Sequence, residues 1–457
     1  MTATKLPTIA NLATKLQAGL TTSEKLTQDC LDRIADPAGE GARTFLHTNP
    51  AQALACARAS DMQRRVSVVP SPLAGVPISV KDLFDVHGEI TKAGSIMLND
   101  APKATADAPA IARLRAAGAI IIGRTNMTEF AYGGHGINAH YDTPRCPWDR
   151  TSQRIPGGST SGGAVSITDG MAHGTIGSDT GGSTRIPAAL CGTVGYKPTQ
   201  GAVPLEGVFP LSFSRDSVGP LARSVACCAL LHQIMAGEAI TNIVPTALKG
   251  LNIGVPSNIA CDELDAEVAT AFEASLNALS RAGANIVRFH FAALQRERAG
   301  SAKANFSAVE AYALHRERLQ NTPELFDEMV RVRLMVGATM LAADYVDLLK
   351  LRQSLIAQAN AETAGFAALA LPTVPIIAPT FRQMRKSEAE FFRVNAQLLR
   401  NCAPFNVFDR PAISLPCHAL SGVTTAAPVG FMLVGETDCD AQLFALAQSV
   451  ETAIKQQ

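Results

Sequence analysis

The run GSDTGGSTRIPAALCG at 177–192 places Gly181 and Gly182 directly before Ser183. Glycine has no Cβ, so a backbone of this kind lets successive N–H groups converge on one point. Upstream by 24 residues, Ser159 sits in a second glycine-rich run, RIPGGSTSGGA at 154–164. Lys81 closes the apolar GVPISV of GVPISVKDLFD at 75–85. Two serines and one lysine therefore stand in three segments with few large side chains.

Outward from these runs, helix and strand patterns alternate. Apolar spacing from Thr8 to Ile34 is helical, with Thr22 and Ser23 as caps between two helices. Residues Leu73 to Val80 read as a short strand running into Lys81. Arg113 to Ala117 read as a helix end closed by Gly118, and AIIIG follows as a buried strand. Ala164 to Ile167 read as helix, LKGLNIGVP as strand, Asp265 to Ala282 as an amphipathic helix before the strand ANIVRF, and FAALALPTVPIIAP as a further buried strand. The alternation predicts a layered α/β fold. With no repeat, low-complexity linker or sharp compositional break, residues 1–457 are expected to form one domain. It divides into a helical N-terminal arm at 1–65, a core at 66–240, and a remainder at 241–457 with a helical cover at about 303–360.

Composition narrows the function classes. The chain is 47% hydrophobic and 18% charged, enough to bury a core and too little charge for disorder. Its 40 basic and 40 acidic residues cancel, which gives no drive toward nucleic acid or an anionic membrane. No apolar run reaches the roughly 20 residues of a membrane span, and the N-terminus lacks the apolar core of a secretory signal, so a cytoplasmic location is expected. The ten cysteines form no C-x-x-C pair, and the nine histidines no H-E-x-x-H. Neither a metal nor a cofactor is expected.

A serine hydroxyl needs a proton acceptor and a site that stabilises the oxyanion formed after attack. The backbone of Thr180, Gly181, Gly182 and Ser183 is the candidate oxyanion hole. No histidine stands in a partner motif, and neither serine lies in a G-x-S-x-G elbow. A lysine shielded from water loses stabilisation of its charge, so Lys81 behind its apolar run is the candidate base.

These segments resemble the amidase signature family of serine hydrolases. The resemblance is dense from about Leu73 to Val225, including GRTNMTEFAYGG, PGGSTSGGA, GSDTGGSTRIPAALCG and GYKPTQG. It resumes in PTVPIIAP, NVFDRPAISLPC and PVGFMLVG. It implies an α/β/α layered fold with a large mixed central sheet covered by helices, and it implies Ser183 as nucleophile, Ser159 as bridging serine behind a cis peptide at Gly158–Ser159, and Lys81 at the end of the relay. Thr160 and Thr184 depart from the family's common residues without touching the triad.

Further assignments remain open at this level. Arg185 can pair with Asp179 or Asp216, which reads as a brace for the nucleophile loop. Asn126, Tyr132 and Gly133 fall where the family borders its acyl pocket, though a turn explains Asn126 and Gly133 equally well. Arg331, Arg333 and His315 in the helical cover read as substrate contacts or as solvent-facing positions. His135 and His140 are candidates for an entrance, and Cys191 is read as core. The leading function is hydrolysis of a small carboxamide, with no nucleic acid or membrane partner and a homodimer as in relatives. The alternatives are the glutaminase component of a tRNA-dependent amidotransferase, working with a small helical partner, and a non-catalytic amide-binding scaffold. A scaffold is expected to have lost a triad residue, and all three are present.

Overall fold

Strand formation follows the apolar runs. The computed structural model describes residues 6–301, 304–418 and 427–456. Its strands are β1 (Phe45–Thr48), β2 (Pro77–Lys81), β3 (Ile120–Thr125), β4 (Gly174–Asp179), β5 (Val194–Lys197), β6 (Ser217–Ala222), β7 (Asn252–Pro256), β8 (Asn285–Phe289), β9 (Ala368–Pro372), β10 (Ala412–Pro416) and β11 (Gly430–Val434). All join one sheet in the order β1-β3-β2-β4-β6-β5-β10-β11-β9-β7-β8. The sheet is mixed: β2 runs parallel to β3 and β4, and β7 to β8 and β9, while the other pairs are antiparallel.

Successive side chains of a strand point to opposite faces, and here they enter two different cores. Ile413, Phe431, Leu433, Ala368 and Ala370 pack in one cluster with Phe272, Leu276, Phe444 and Ala447 from the helices Ala266–Arg281 and Asp440–Lys455. Their strand neighbours Ala412, Met432, Val434, Leu369 and Leu371 pack in the other with Ile186, Leu190, Val394 and Leu398 from the helices Arg185–Cys191 and Glu388–Leu399. Helices thus cover both faces, the layered α/β arrangement expected. The inner strands β2 and β4 are buried throughout, whereas every residue of the edge strand β8 is exposed or half-buried.

Thr22 caps the helix Ser23–Ala35 by accepting from the Lys25 amide, and Gly118 follows the helix Pro109–Ala116 with φ of +89°, as the turn into β3 requires. Two boundaries differ from expectation. The arm at 1–65 is not wholly helical, because Phe45–Thr48 pairs with β3 as an edge strand. The segment from Leu73 to Val76 is a turn, and β2 starts at Pro77. The cover comprises the helices Phe306–Asn321, Glu328–Val336 and Ala342–Thr363. Lys303, where the cover is expected to begin, lies outside the described residues.

Candidate active site

Parallel pairing of β2 with β4 aligns Ser79 with Thr175 and Val80 with Ile176. The two strands therefore end on the same side, which brings Lys81 beside the last turn of β4 and the loop that carries Ser183. Open α/β sheets form their ligand crevices at such carboxyl ends.

Lys81 is completely buried. Its Nζ donates to Ser159 Oγ at 2.7 Å and to Ser178 Oγ at 2.9 Å, and no carboxylate lies within ion-pair distance among the described residues. Burial pulls its pKa from 10.5 down to about 7, against the opposing fields of Asp179 and Asp216. Ser159 follows a cis peptide at Gly158 and is also fully buried. The backbone closes the group together: Thr128 N donates to Ser159 O, and Thr160 N to Ser183 O. Lys81 and Ser159 are thus in direct side-chain contact, and Ser183 is joined to their neighbourhood through the Thr160 backbone. Ser178 is an addition that the sequence does not announce.

The loop that carries Ser183 is clamped from one side by Asp179. Its Oδ1 accepts from Gly182 N (2.8 Å), Arg185 Nη2 (2.9 Å) and Asn406 Nδ2 (3.0 Å). Its Oδ2 accepts from Thr184 N (3.0 Å), Thr184 Oγ1 (2.9 Å) and Arg185 Nε (3.1 Å). Burial alone pushes this carboxyl up, but the Arg185 charge and these hydrogen bonds outweigh it and hold Asp179 well below the usual carboxylate range. Arg185 has no exposed surface and also meets Asn406 Oδ1 and Cys402 O, so it braces the loop and does not face substrate. Asp216, the other carboxylate considered for Arg185, instead accepts from Thr180 Oγ1 at 2.5 Å. The departure at Thr184 supplies two of the clamp's bonds.

One oxyanion candidate needs correction. The Gly182 N–H is taken by Asp179, and Gly182 contributes its conformation instead, with φ of +125° and only 2.6 Å between a notional Cβ and Cys402 Cβ. The amides of Gly181 and Ser183 donate to no other described residue.

The substrate-contact candidates separate. Asn126 is a fully buried brace: Nδ2 donates to the carbonyls of Arg43 and Asp142, and Oδ1 accepts from Met127 N. Both of its Nδ2 hydrogens are committed to the scaffold. Gly133 carries His135 against its face, where a Cβ would lie 2.3 Å from Nε2. Tyr132 lies under Arg333, whose guanidinium sits 4.1 Å from the ring centroid and donates to Tyr132 O at 2.6 Å. Arg333 is therefore turned inward and has no carboxylate partner among the described residues. His315 packs among Phe130, Phe209 and Phe326, and burial drops it to about 3. His135 is buried against Phe391, and His140 bonds Glu129 Oε1 at 2.8 Å. No side-chain interaction assigns Arg331 a role. Cys191 donates to Pro156 O, and burial raises its thiol far above the ordinary value, as befits core. No group of three or more metal-ligating side chains occurs among the described residues, and no helix among them is long and apolar enough to cross a membrane.

Comparison with known proteins shows the family. Residues 25–444 match the family model described as Amidase. A 2-amino-5-chloromuconic acid deaminase of Comamonas testosteroni is 35% identical over 389 residues, 84% of this chain and 83% of that protein. A glutamyl-tRNA(Gln) amidotransferase subunit of Chloroflexus aggregans is 32% identical over 97% of this chain and 96% of its own. A crystal structure of an amidase superposes with a TM-score of 0.86 at 31% identity, covering 98% of this chain and 99% of that one.

Proposed function

We propose that this chain, which belongs to the amidase family, cleaves the C–N bond of a small linear carboxamide through an acyl-enzyme on Ser183. The observation that carries the reading is Lys81: fully buried, unpaired with any carboxylate among the described residues, and 2.7 Å from Ser159. An amine in that setting accepts a proton near neutral pH.

Ser183 Oγ attacks the carbonyl carbon as its proton passes to Ser159 Oγ, and the Ser159 proton passes to Lys81 Nζ. The amides of Gly181 and Ser183, with Thr180 beside them, face the oxyanion. Collapse breaks the C–N bond, and the proton returns from Lys81 through Ser159 to the leaving nitrogen, which departs as ammonia or an amine. Water then attacks the acyl carbon, giving its proton to the same relay, and releases the carboxylic acid with Ser183 restored. Arg333, cationic and without a carboxylate partner among the described residues, sits over Tyr132 in the segment whose Thr128 bonds Ser159 O. An amide that also carries a carboxylate fits this arrangement, as the acid named for the Comamonas testosteroni relative suggests.

The match to an amidotransferase component over 97% of this chain supports a second reading, a glutaminase that works with partner proteins. Ammonia release from aliphatic, aromatic and carboxylated amides by the purified chain, against glutamine with and without co-purifying partners and tRNA, separates the two. Mass spectrometry after treatment with a serine-directed phosphonate is expected to find the adduct on Ser183, and Ser183→Ala to fold normally without turnover. An adduct on Ser159 or Cys191 overturns the assignment.

A further inference from the structure

Asp179 accounts for one side of the nucleophile loop; the other side is held by a second buried carboxylate that the relay does not use. Asp216 precedes β6, and its Oδ1 accepts from the Thr180 hydroxyl at 2.5 Å. Its Oδ2 accepts from the amides of Leu211 (2.9 Å) and Ser212 (3.0 Å). The same Ser212 donates its hydroxyl to Glu310 Oε2 at 2.6 Å, and Ser214 N donates to that oxygen at 3.2 Å. Glu310 belongs to the cover helix Phe306–Asn321, and its other oxygen accepts from Tyr345 on the cover helix Ala342–Thr363 at 2.9 Å. A continuous hydrogen-bonded path therefore runs from the oxyanion loop to the helical cover.

We infer that Asp216 is a positioning residue for the reaction, fixing the oxyanion loop through Thr180 and transmitting to it the position of the helical cover through Ser212 and Glu310. Three donors converge on Asp216, so an ionised carboxylate is the form that satisfies them all. A protonated carboxyl, or an amide in its place, turns one donor toward another and frees the loop. The charged groups around it are Arg215, whose Nε approaches Ser212 Oγ at 3.5 Å, Lys81 and Asp179 across the loop, and Glu310 behind Ser212. Burial raises Asp216 to about 6, against the hydrogen bonds from Thr180, Leu211 and Ser212 and the charge of Arg215. Its field in turn raises the proton affinity of Lys81. The carboxylate thus acts on the geometry of the loop and on the base.

This rests on the amide-hydrolase reading, and the experiment keeps the two apart. Ser183→Ala in parallel tests that reading. If it abolishes turnover while the variants below behave as wild type, the inference alone fails. Asp216→Asn is expected to fold, as judged by circular dichroism and thermal melting, and to lose about 10- to 100-fold in kcat with KM nearly unchanged, the size associated with a misplaced oxyanion donor. In wild type, log kcat/KM should steepen below about pH 6 from slope one toward slope two. Asp216→Asn should keep slope one and shift its acid limb to lower pH, because Lys81 loses a neighbouring negative charge. Thr180→Val should match the kcat loss, Thr180→Ser should recover most of it, and combining Thr180→Val with Asp216→Asn should cost little more than either alone. Glu310→Gln should lower kcat several-fold, and its effect should largely vanish in the Asp216→Asn background. Additive losses in either pair, or a folded Asp216→Asn enzyme with wild-type kcat and an unmoved acid limb, overturn the inference.

Discussion

The burial of Lys81 makes a quantitative prediction about pH. A solvated lysine with its pKa at 10.5 is neutral in only about one molecule in 3000 at pH 7. With burial holding it at about 7, half of the molecules carry a neutral amine at that pH. Between pH 6 and pH 8 the neutral fraction climbs from about 0.1 to about 0.9, so Lys81 alone should raise kcat/KM about tenfold and then level off. An unshifted lysine gives about a hundredfold rise across the same interval with no plateau. The assay is initial-rate ammonia release at subsaturating amide from pH 5.5 to 9.5, with stability checked at each pH. Linkage supplies an independent readout. Between about pH 7 and 10.5 the unfolded chain holds a proton that the folded chain has released, so stability from this group rises with pH over that window. The whole span of 3.5 units corresponds to about 5 kcal/mol. Lys81→Met should remove the base, lower turnover by at least the 10²- to 10⁴-fold typical of lost proton transfer, and remove that slope from the stability profile. A Lys81→Met enzyme with near-normal turnover, or a rate still climbing at pH 9.5, refutes the reasoning.

Two substitutions test other parts of the site. Ser159→Ala keeps the loop but cuts the link between Lys81 and the nucleophile, and single-turnover acylation should slow by about 10²- to 10⁴-fold; an unchanged rate removes Ser159 from the relay. Gly182→Ala forces a side chain into φ of +125° with Cys402 Cβ and Ile186 Cδ1 each 2.6 Å away, so thermal melting should show a loss of about 2 to 5 kcal/mol together with turnover. A melting temperature equal to wild type would show that the loop accepts a Cβ there.

Much of this site is legible because its chemistry is local. The apolar GVPISV before Lys81 announces a buried lysine, and Asp179 and Arg185 stand six residues apart across one loop, so their pairing needs no knowledge of the fold. Ser178 escapes such a reading because its role depends on the parallel register that sets β2 beside β4, and no local pattern encodes that register. Asn406 and Glu310 reach the loop from 227 and, through Ser212, 98 residues away. Long-range partners of this kind leave no trace in spacing. The direction of the Gly182 N–H depends on one backbone torsion, which a glycine pair permits without specifying. Phe45–Thr48 merges with the helical arm in the sequence because four residues are too few to show a period of two against flanking helices. Asn126 and Gly133 do lie near the site, yet burial and committed Nδ2 hydrogens make Asn126 scaffold, and the close approach of His135 does the same for Gly133.

The two carboxylates nearest Lys81 raise a question of sign in which Arg185 has a part. A buried aspartate close to a lysine ordinarily keeps that lysine protonated, which would remove the base. Asp179 does act in that direction, yet burial still wins at Lys81. Burial is the dominant influence there, and Arg185, which contacts both Asp179 oxygens and is as deeply buried, sets its positive charge against the Asp179 field. Arg185 is therefore expected to work at two levels, bracing the loop mechanically and offsetting part of the Asp179 charge. Removing it separates these levels. Arg185→Met leaves Asp179 buried and uncompensated, which costs about 3 to 5 kcal/mol and raises the pKa of Lys81, so residual activity should shift to higher pH. Arg185→Met combined with Asp179→Asn removes both charges, and its acid limb should return toward the wild-type position even while turnover stays low from the damaged loop. A double variant whose acid limb stays as high as that of Arg185→Met would show that charge cancellation is not what Arg185 contributes.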